Sequence, residues 1–232
     1  MIGILGGMGT RAGLDFCNKI AVLNRGKSDQ QYPKFILYNK SDTPRRPENL
    51  KKYYNVLKEL VKGCLLLQKN KCKFIVMPCN TAHYWHEDIQ KKIKIPLVSM
   101  PKEVYLHAKR SCRKNSKIGI LCTEATIKTK VYSKYFDKGF KLVSPGKNLQ
   151  KNSVNKAIKF VKMGKVKEAE KALKPAVNYL IKIKCKKIIL GCTELPIAIF
   201  AYKSFKKIRE SKIFIDPNLL LAQVSMQKYF KK

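Results

Sequence analysis

The sequence predicts an α/β protein built from two similar doubly wound parallel-sheet domains. Three observations carry that reading. Short apolar runs alternate with helix-like stretches along the whole chain. A segment near the start recurs half a chain later. A second pair of segments, each ending in a cysteine turn, recurs at nearly the same offset.

The recurrences are specific. Ile2-Gly-Ile-Leu-Gly-Gly-Met-Gly-Thr10 matches Ile118-Gly-Ile-Leu-Cys-Thr-Glu-Ala-Thr126 at five of nine positions, offset by 116 in a chain of 232 residues. Lys73-Phe-Ile-Val-Met-Pro-Cys79-Asn-Thr81 echoes Lys187-Ile-Ile-Leu-Gly-Cys192-Thr-Glu194, with 113 residues between the cysteines. Two matches in register imply an internal duplication, with the halves related by a pseudo-twofold axis and the active site in the cleft between them. The expected domains are 1–98 with 216–232, and 99–215.

The elements follow in order. Strands are expected at 2–5, 35–38, 74–77 and 97–99, then at 117–121, 141–143, 186–190 and 213–215. Each is a short apolar run closed by Pro, Gly, Asn or Asp, as strands buried on both faces should be. Helices are expected at about 11–25, 50–70, 84–93, 101–113, 126–136, 151–183 and 218–230. In doubly wound sheets ligands bind beyond the carboxyl ends of the strands, where all four recurring turns lie.

Composition excludes several classes. Residues 1–232 are 45% hydrophobic and 28% charged, a globular balance. No apolar stretch approaches the roughly 20 residues of a membrane span, and the chain opens directly into a strand-like run, so the expected compartment is the cytoplasm. Eight cysteines without a Cys-x-x-Cys pair point to free thiols in a reducing compartment. Fifty Lys+Arg against fifteen Asp+Glu leave a formal charge of +35, divided 23 and 27 between residues 1–116 and 117–232. Such a surface favours anionic ligands and acidic partners. It keeps nucleic-acid binding as an alternative function.

Four turns hold the candidate chemistry. Gly6-Gly7-Met8-Gly9-Thr10-Arg11-Ala12 contains a weak dinucleotide fingerprint, but the second strand ends Tyr38-Asn39-Lys40 without the carboxylate that would hold a ribose. The turn reads better as a set of N–H donors facing an anion. Cys79, His83 and His86 lack a fourth zinc ligand, so no metal is expected. Cys79 and Cys192 each follow a buried strand and precede a helix start, where Asn80, Thr81 or Thr193 can cap. The helix dipole and loose N–H donors there are expected to lower a thiol pKa below about 8.5. Two equivalent acid–base groups facing opposite sides of one carbon are what racemisation requires.

At these residues the sequence resembles the cofactor-independent aspartate/glutamate racemase superfamily. The resemblance runs from Gly3-Ile-Leu-Gly-Gly-Met-Gly9 through Met77-Pro-Cys-Asn-Thr-Ala-His83 and Gly191-Cys-Thr-Glu194 to Asp216-Pro217. It implies two α/β domains, no pyridoxal phosphate, a homodimer, a dicarboxylic amino-acid substrate and Cys79 and Cys192 as the two bases. It implies that Met8, Asn80, Thr81, Thr123, Thr126 and Thr193 line the substrate pocket, and that Arg46 and Lys162 hold carboxylates. His83 and Glu194 flank the cysteines as expected proton shuttles.

Three positions depart from the family pattern. Thr10 replaces a proline. Ala125 replaces a glycine and would be strained if its φ were positive. Arg45 replaces an aspartate, which leaves Arg45 and Arg46 both open as the carboxylate ligand. A related isomerase acting on another substrate, such as a hydantoin, is the alternative enzyme reading.

Overall fold

The computed structural model describes all residues except 25, 27, 47–49, 138, 201–204, 206, 207, 209 and 232. Pro47 of the Pro44-Arg-Arg-Pro47 motif and the end of the expected helix at 25 lie outside the described residues. The chain divides into two compact units, Met1–Glu103 with Asn218–Lys232, and Val104–Pro217.

In the first unit, β1 (Ile2–Gly6) lies between β2 (Phe35–Asn39) and β3 (Phe74–Val76), all parallel. Side chains alternate across this sheet with period two. Ile2, Ile4, Phe74 and Val76 pack with Phe16 and Ile20 of α1 (Thr10–Leu23) and with Leu221 of the last helix (Pro217–Phe230). Leu5, Ile75 and Met77 point the other way, onto Val56, Leu60 and Leu67 of α2 (Tyr53–Lys69). Burying these runs on both faces is what holds the unit together, at roughly 25 cal/mol per Å² of apolar surface removed from water. The strand expected at 97–99 is reduced to one bridge, Ile75 to Leu97, beside Pro96. Proline removes a donor from the ladder at that point.

The second unit repeats the plan. Its parallel sheet runs β5 (Lys141–Val143), β4 (Lys117–Cys122), β6 (Lys187–Gly191), β7 (Phe214–Ile215). In both sheets the first strand of the half is flanked by the second and third, so the two sheets share one strand order. Leu121, Ile188 and Leu190 pack on Leu173, Val177 and Leu180 of a long helix, α9 (Val166–Lys182).

Two expected helices are broken. The stretch at 151–183 becomes a π turn (Gln150–Asn155), α8 (Lys156–Lys162) and α9, because Gly164 takes φ +78 and ends α8. The stretch at 126–136 becomes Glu124–Lys128 and Ser133–Phe136, split where Lys130 turns to φ +52. The segment at 84–93 starts earlier, as a 3-10 turn at Thr81–Trp85 running into His86–Gln90. No described helix is long and apolar enough to cross a membrane.

Candidate active site

The glycine turn after β1 is shaped by contact with the end of β2. Gly7 has φ +85, and a Cβ there would come within 2.2 Å of the Lys40 backbone. Glycine is therefore required on steric and conformational grounds. Lys40 is itself a buried ammonium, 2.8 Å from both Asp42 and Glu59. Those two carboxylates raise its pKa against the cost of its desolvation.

Arg46 also closes on this turn. Its Nη2 donates to the Met8 carbonyl at 2.6 Å, and its Nη1 donates to the carbonyls of Thr43 and Pro44 at 3.3 and 3.2 Å. Arg45 is exposed, whereas Arg46 is part-buried against buried Met8. Of the two arginines, Arg46 is the one seated at the turn. A guanidinium has five N–H donors, so these bonds leave some over for a carboxylate.

The Cys79 turn follows β3 and is held through its backbone. The Cys79 amide donates to the Met77 carbonyl at 2.8 Å. The Cys79 carbonyl accepts from Nδ1 of buried His83 at 2.9 Å, and Nε2 of the same ring accepts from the Met100 amide at 3.1 Å. These two bonds fix a neutral ring with the proton on Nδ1. His86 stacks on it at 5.9 Å and meets the Leu97 carbonyl at 2.8 Å. Through Nδ1 the ring thus addresses the backbone of Cys79. Asn80 has αR geometry at φ −60, and of the candidate caps its side chain does not cap this helix start. Cys79, Asn80 and Thr81 are all buried.

The Cys192 turn follows β6 and carries charge. The Cys192 thiol donates to Oε2 of Glu194 at 3.0 Å, and the Thr193 hydroxyl reaches the same oxygen at 3.4 Å. The other carboxylate oxygen lies 3.7 Å from Nζ of Lys162 at the end of α8. Cys192, Thr193 and Glu194 are each less than one-tenth exposed, while the Lys162 side chain is 51% exposed. Burial, and then the adjacent Glu194 charge, push the Cys192 thiol well above its ordinary value. The expected lowering of this pKa is overturned, because burial, and then the Glu194 carboxylate, outweigh a six-residue helix, Leu195–Phe200.

At the related turn after β4, the Thr123 hydroxyl caps the helix start by accepting from the Thr126 amide at 3.2 Å, and the two hydroxyls lie 3.0 Å apart. Ala125 sits inside that short helix and has no positive φ, so the expected strain does not arise. Thr126 also lines a cavity of about 220 Å³ with Ile120, Cys122, Ile127, Tyr132 and Ser144. Tyr132 carries no motif or repeat signal that would single it out in the sequence. It is fully buried, and burial followed by the charges of Cys122, Asp216 and Cys192 raises its phenol.

Each unit thus assembles its own share of the expected residues at the carboxyl edge of its sheet: Met8, Arg46, Cys79, Asn80, Thr81 and His83 in one, Thr123, Thr126, Lys162, Cys192, Thr193 and Glu194 in the other.

The chain is 27% identical over 236 residues to the broad specificity amino-acid racemase RacX of Bacillus subtilis, covering 99% of this chain and 98% of that one. It superposes on the Picrophilus torridus aspartate racemase with a TM-score of 0.83 at 27% identity, covering 100% and 94% of the two chains. It shares the fold of the Francisella tularensis glutamate racemase, with a TM-score of 0.71 at 20% identity over 99% and 80%. The Asp/Glu/Hydantoin racemase profile matches residues 5–224, and the chain belongs to that family.

Proposed function

We propose that the protein is a cofactor-independent racemase that interconverts L- and D-aspartate, with glutamate as the alternative dicarboxylate, by moving the α-proton between Cys79 and Cys192. The observation that carries this reading is the chain of contacts from the Cys192 thiol through buried Glu194 to half-exposed Lys162. The aspartate racemase relative supports the choice of substrate.

In this mechanism one thiol enters protonated and the other as thiolate. Cys192 is the acid for one enantiomer, because burial and Glu194 hold its proton. Cys79 then removes the α-proton from one face while Cys192 S–H delivers a proton to the other. For the opposite enantiomer the roles reverse: Cys192, its proton passed to Glu194 across their 3.0 Å hydrogen bond and from there to solvent, removes the α-proton, while Cys79, protonated from solvent, delivers its S–H proton to the other face. N–H groups of the glycine turn and of the turns at Asn80, Thr81 and Thr193 stabilise the negative charge that develops on the α-carboxylate. Arg46 and Lys162 hold the substrate carboxylates, Lys162 by turning its exposed ammonium from Glu194.

A broader substrate range is a second reading. The 220 Å³ cavity at Thr126 is lined by hydroxyl and apolar groups and no charged side chain, and the Bacillus subtilis relative is a broad specificity enzyme. One experiment separates the readings. The protein is incubated in deuterated, reducing buffer without pyridoxal phosphate, with single enantiomers of aspartate, glutamate, alanine and serine. Inversion with α-deuterium uptake is expected for aspartate first. Faster inversion of alanine or serine would establish the broader enzyme, and no inversion of any of the four would refute both readings.

A further inference from the structure

The carboxyl edge of the second sheet holds Thr123 and Cys192; its amino edge holds something the racemase reading does not use. Ile118 pairs with Lys187, and Ile188 with Phe214. One step back along β4 and β6, that register sets Lys117 beside Lys186, and Lys212 lies in the turn two residues before β7. Lys141 pairs with Lys117 directly on the remaining side. Lysines 141, 117 and 186 therefore stand side by side at the amino ends of three strands, and Lys212 lies at the amino end of the fourth. All four are exposed. Adjacent strands are about 4.8 Å apart, so the row extends roughly 14 Å.

The row is not neutralised by carboxylates. The ammonium of Lys117 lies 3.5 Å from the Ile183 carbonyl, and that of neighbouring Lys187 meets the Lys212 carbonyl at 2.6 Å. Among the described residues, the ion pairs lie elsewhere, at Asp15, Asp42, Glu59, Asp88 and Glu194. Four like charges on one edge cost repulsion that an anionic partner would relieve.

A cavity adjoins one end of the row. It has a volume of about 430 Å³ and is lined by Tyr105, Lys109, Cys112, Lys114, Gly139 and Phe140, the last being the residue before Lys141. Its aromatic wall is rigid: the Tyr105 ring packs edge-on against Phe136 at 5.6 Å and Phe140 at 6.2 Å. Lys109 and Lys114 are exposed at its rim, with Arg110 and Arg113 exposed on the same segment. A stacking surface beside a track of ammonium groups is how unpaired bases and their phosphates are held without sequence readout.

We propose that this amino edge binds single-stranded nucleic acid, with a base on Tyr105, which buried Phe140 supports from behind, and the phosphates along Lys141, Lys117, Lys186 and Lys212. The surface lies at the opposite end of the sheet from Cys192, so binding and turnover are independent.

Fluorescence anisotropy of a labelled 12-nucleotide oligouridylate RNA with the full chain tests this across a salt series. Two variants of equal charge change locate the site: Lys117→Gln/Lys141→Gln/Lys186→Gln on the row, and Lys167→Gln/Lys171→Gln/Lys174→Gln on α9. The row variant should bind about ten-fold more weakly, with the log–log salt slope smaller by roughly 2, from about 0.7 per phosphate contact. The α9 variant should keep both values near those of the parent. Tyr105→Leu should weaken binding about ten-fold with the salt slope unchanged, since stacking is lost and no charge is. Equal weakening by the two lysine variants would overturn the proposal, as would equal affinity for inorganic polyphosphate or for duplex RNA. Absence of binding at low salt would overturn it as well.

Discussion

The turns that carry Cys79 and Cys192 occupy matching places, each just beyond the carboxyl end of the third strand of its half, yet different forces hold them. Around Cys79 the bonds are neutral and run through the backbone: His83 and His86 tie the turn to the carbonyls and amide of 97–100. Around Cys192 the thiol itself is bonded, and its partner is a buried carboxylate paired with a lysine. The difference teaches where an asymmetric proton inventory can originate. The proposed mechanism needs one thiol and one thiolate, and two identical environments would supply no preference. Here burial and the Glu194 carboxylate hold the proton on Cys192, while the Cys79 turn is held through its backbone.

Exchanging the special residues of the two turns should therefore give opposite phenotypes. Glu194→Gln removes the acceptor and the charge beside Cys192. Turnover should fall by about 10²–10³-fold while the melting temperature changes little. The same variant should alkylate at Cys192 at lower pH than the parent, because two of the causes that raise this thiol are gone and burial alone remains. An unchanged alkylation profile would mean that Glu194 does not control the thiol.

His83→Ala should act through the fold. It leaves the Met100 amide buried without its acceptor and frees the Cys79 carbonyl, a loss of about 1–3 kcal/mol. For a chain of this size that is a fall of roughly 2–12 °C in Tm. If His83→Ala keeps its Tm and loses only activity, the ring acts on the chemistry and the contrast between the turns is broken.

Lys162→Met should separate binding from stability. The ion pair is long and half-exposed, so its loss should cost less than about 1 kcal/mol. KM for aspartate should rise about ten-fold. A rise in Tm loss without a change in KM would assign Lys162 to structure alone.

A separate effect is alkaline. Burial raises Cys17 to about 11, Cys64 to about 12, and Cys192 well above its ordinary value. The unfolded chain gives up these protons near pH 9, whereas the folded chain keeps them. Stability from these groups is thus fully present below pH 9 and is lost as pH rises through the folded values. Denaturant midpoints should be flat below pH 9 in this respect and decline from pH 9 towards 12. Midpoints that rise over that range would contradict the burial of these thiols.

Much of the architecture was legible because parallel strands buried on both faces leave dense apolar runs. The segments at 2–5, 117–121 and 186–190 stand out against a lysine-rich chain, and the matched cysteine turns mark the carboxyl edges. What was illegible depends on contacts between distant residues. Nothing in Val161-Lys-Met-Gly164 declares that Gly164 turns to positive φ and divides one amphipathic stretch into two helices. A single bridge at Leu97 looks like any strand when read as an apolar tripeptide. General helix-end electrostatics gives the wrong direction for the Cys192 shift, because the thiol is buried and the side chain two residues on folds back onto it. The seat of Arg46 on the Met8 carbonyl joins residues 38 apart, a contact that adjacent Arg45 could equally have made on paper.

The central claim is that Cys79 and Cys192 act as the two bases, and half-reactions test it most directly. Cys79→Ser and Cys192→Ser would each be incubated in deuterated buffer with L-aspartate and, separately, D-aspartate, and α-deuterium uptake followed alongside inversion. Racemisation should be lost in both variants, and slow exchange should survive with opposite enantiomers in the two. Racemisation at near the parent rate in either variant, or exchange confined to the same enantiomer in both, would contradict it.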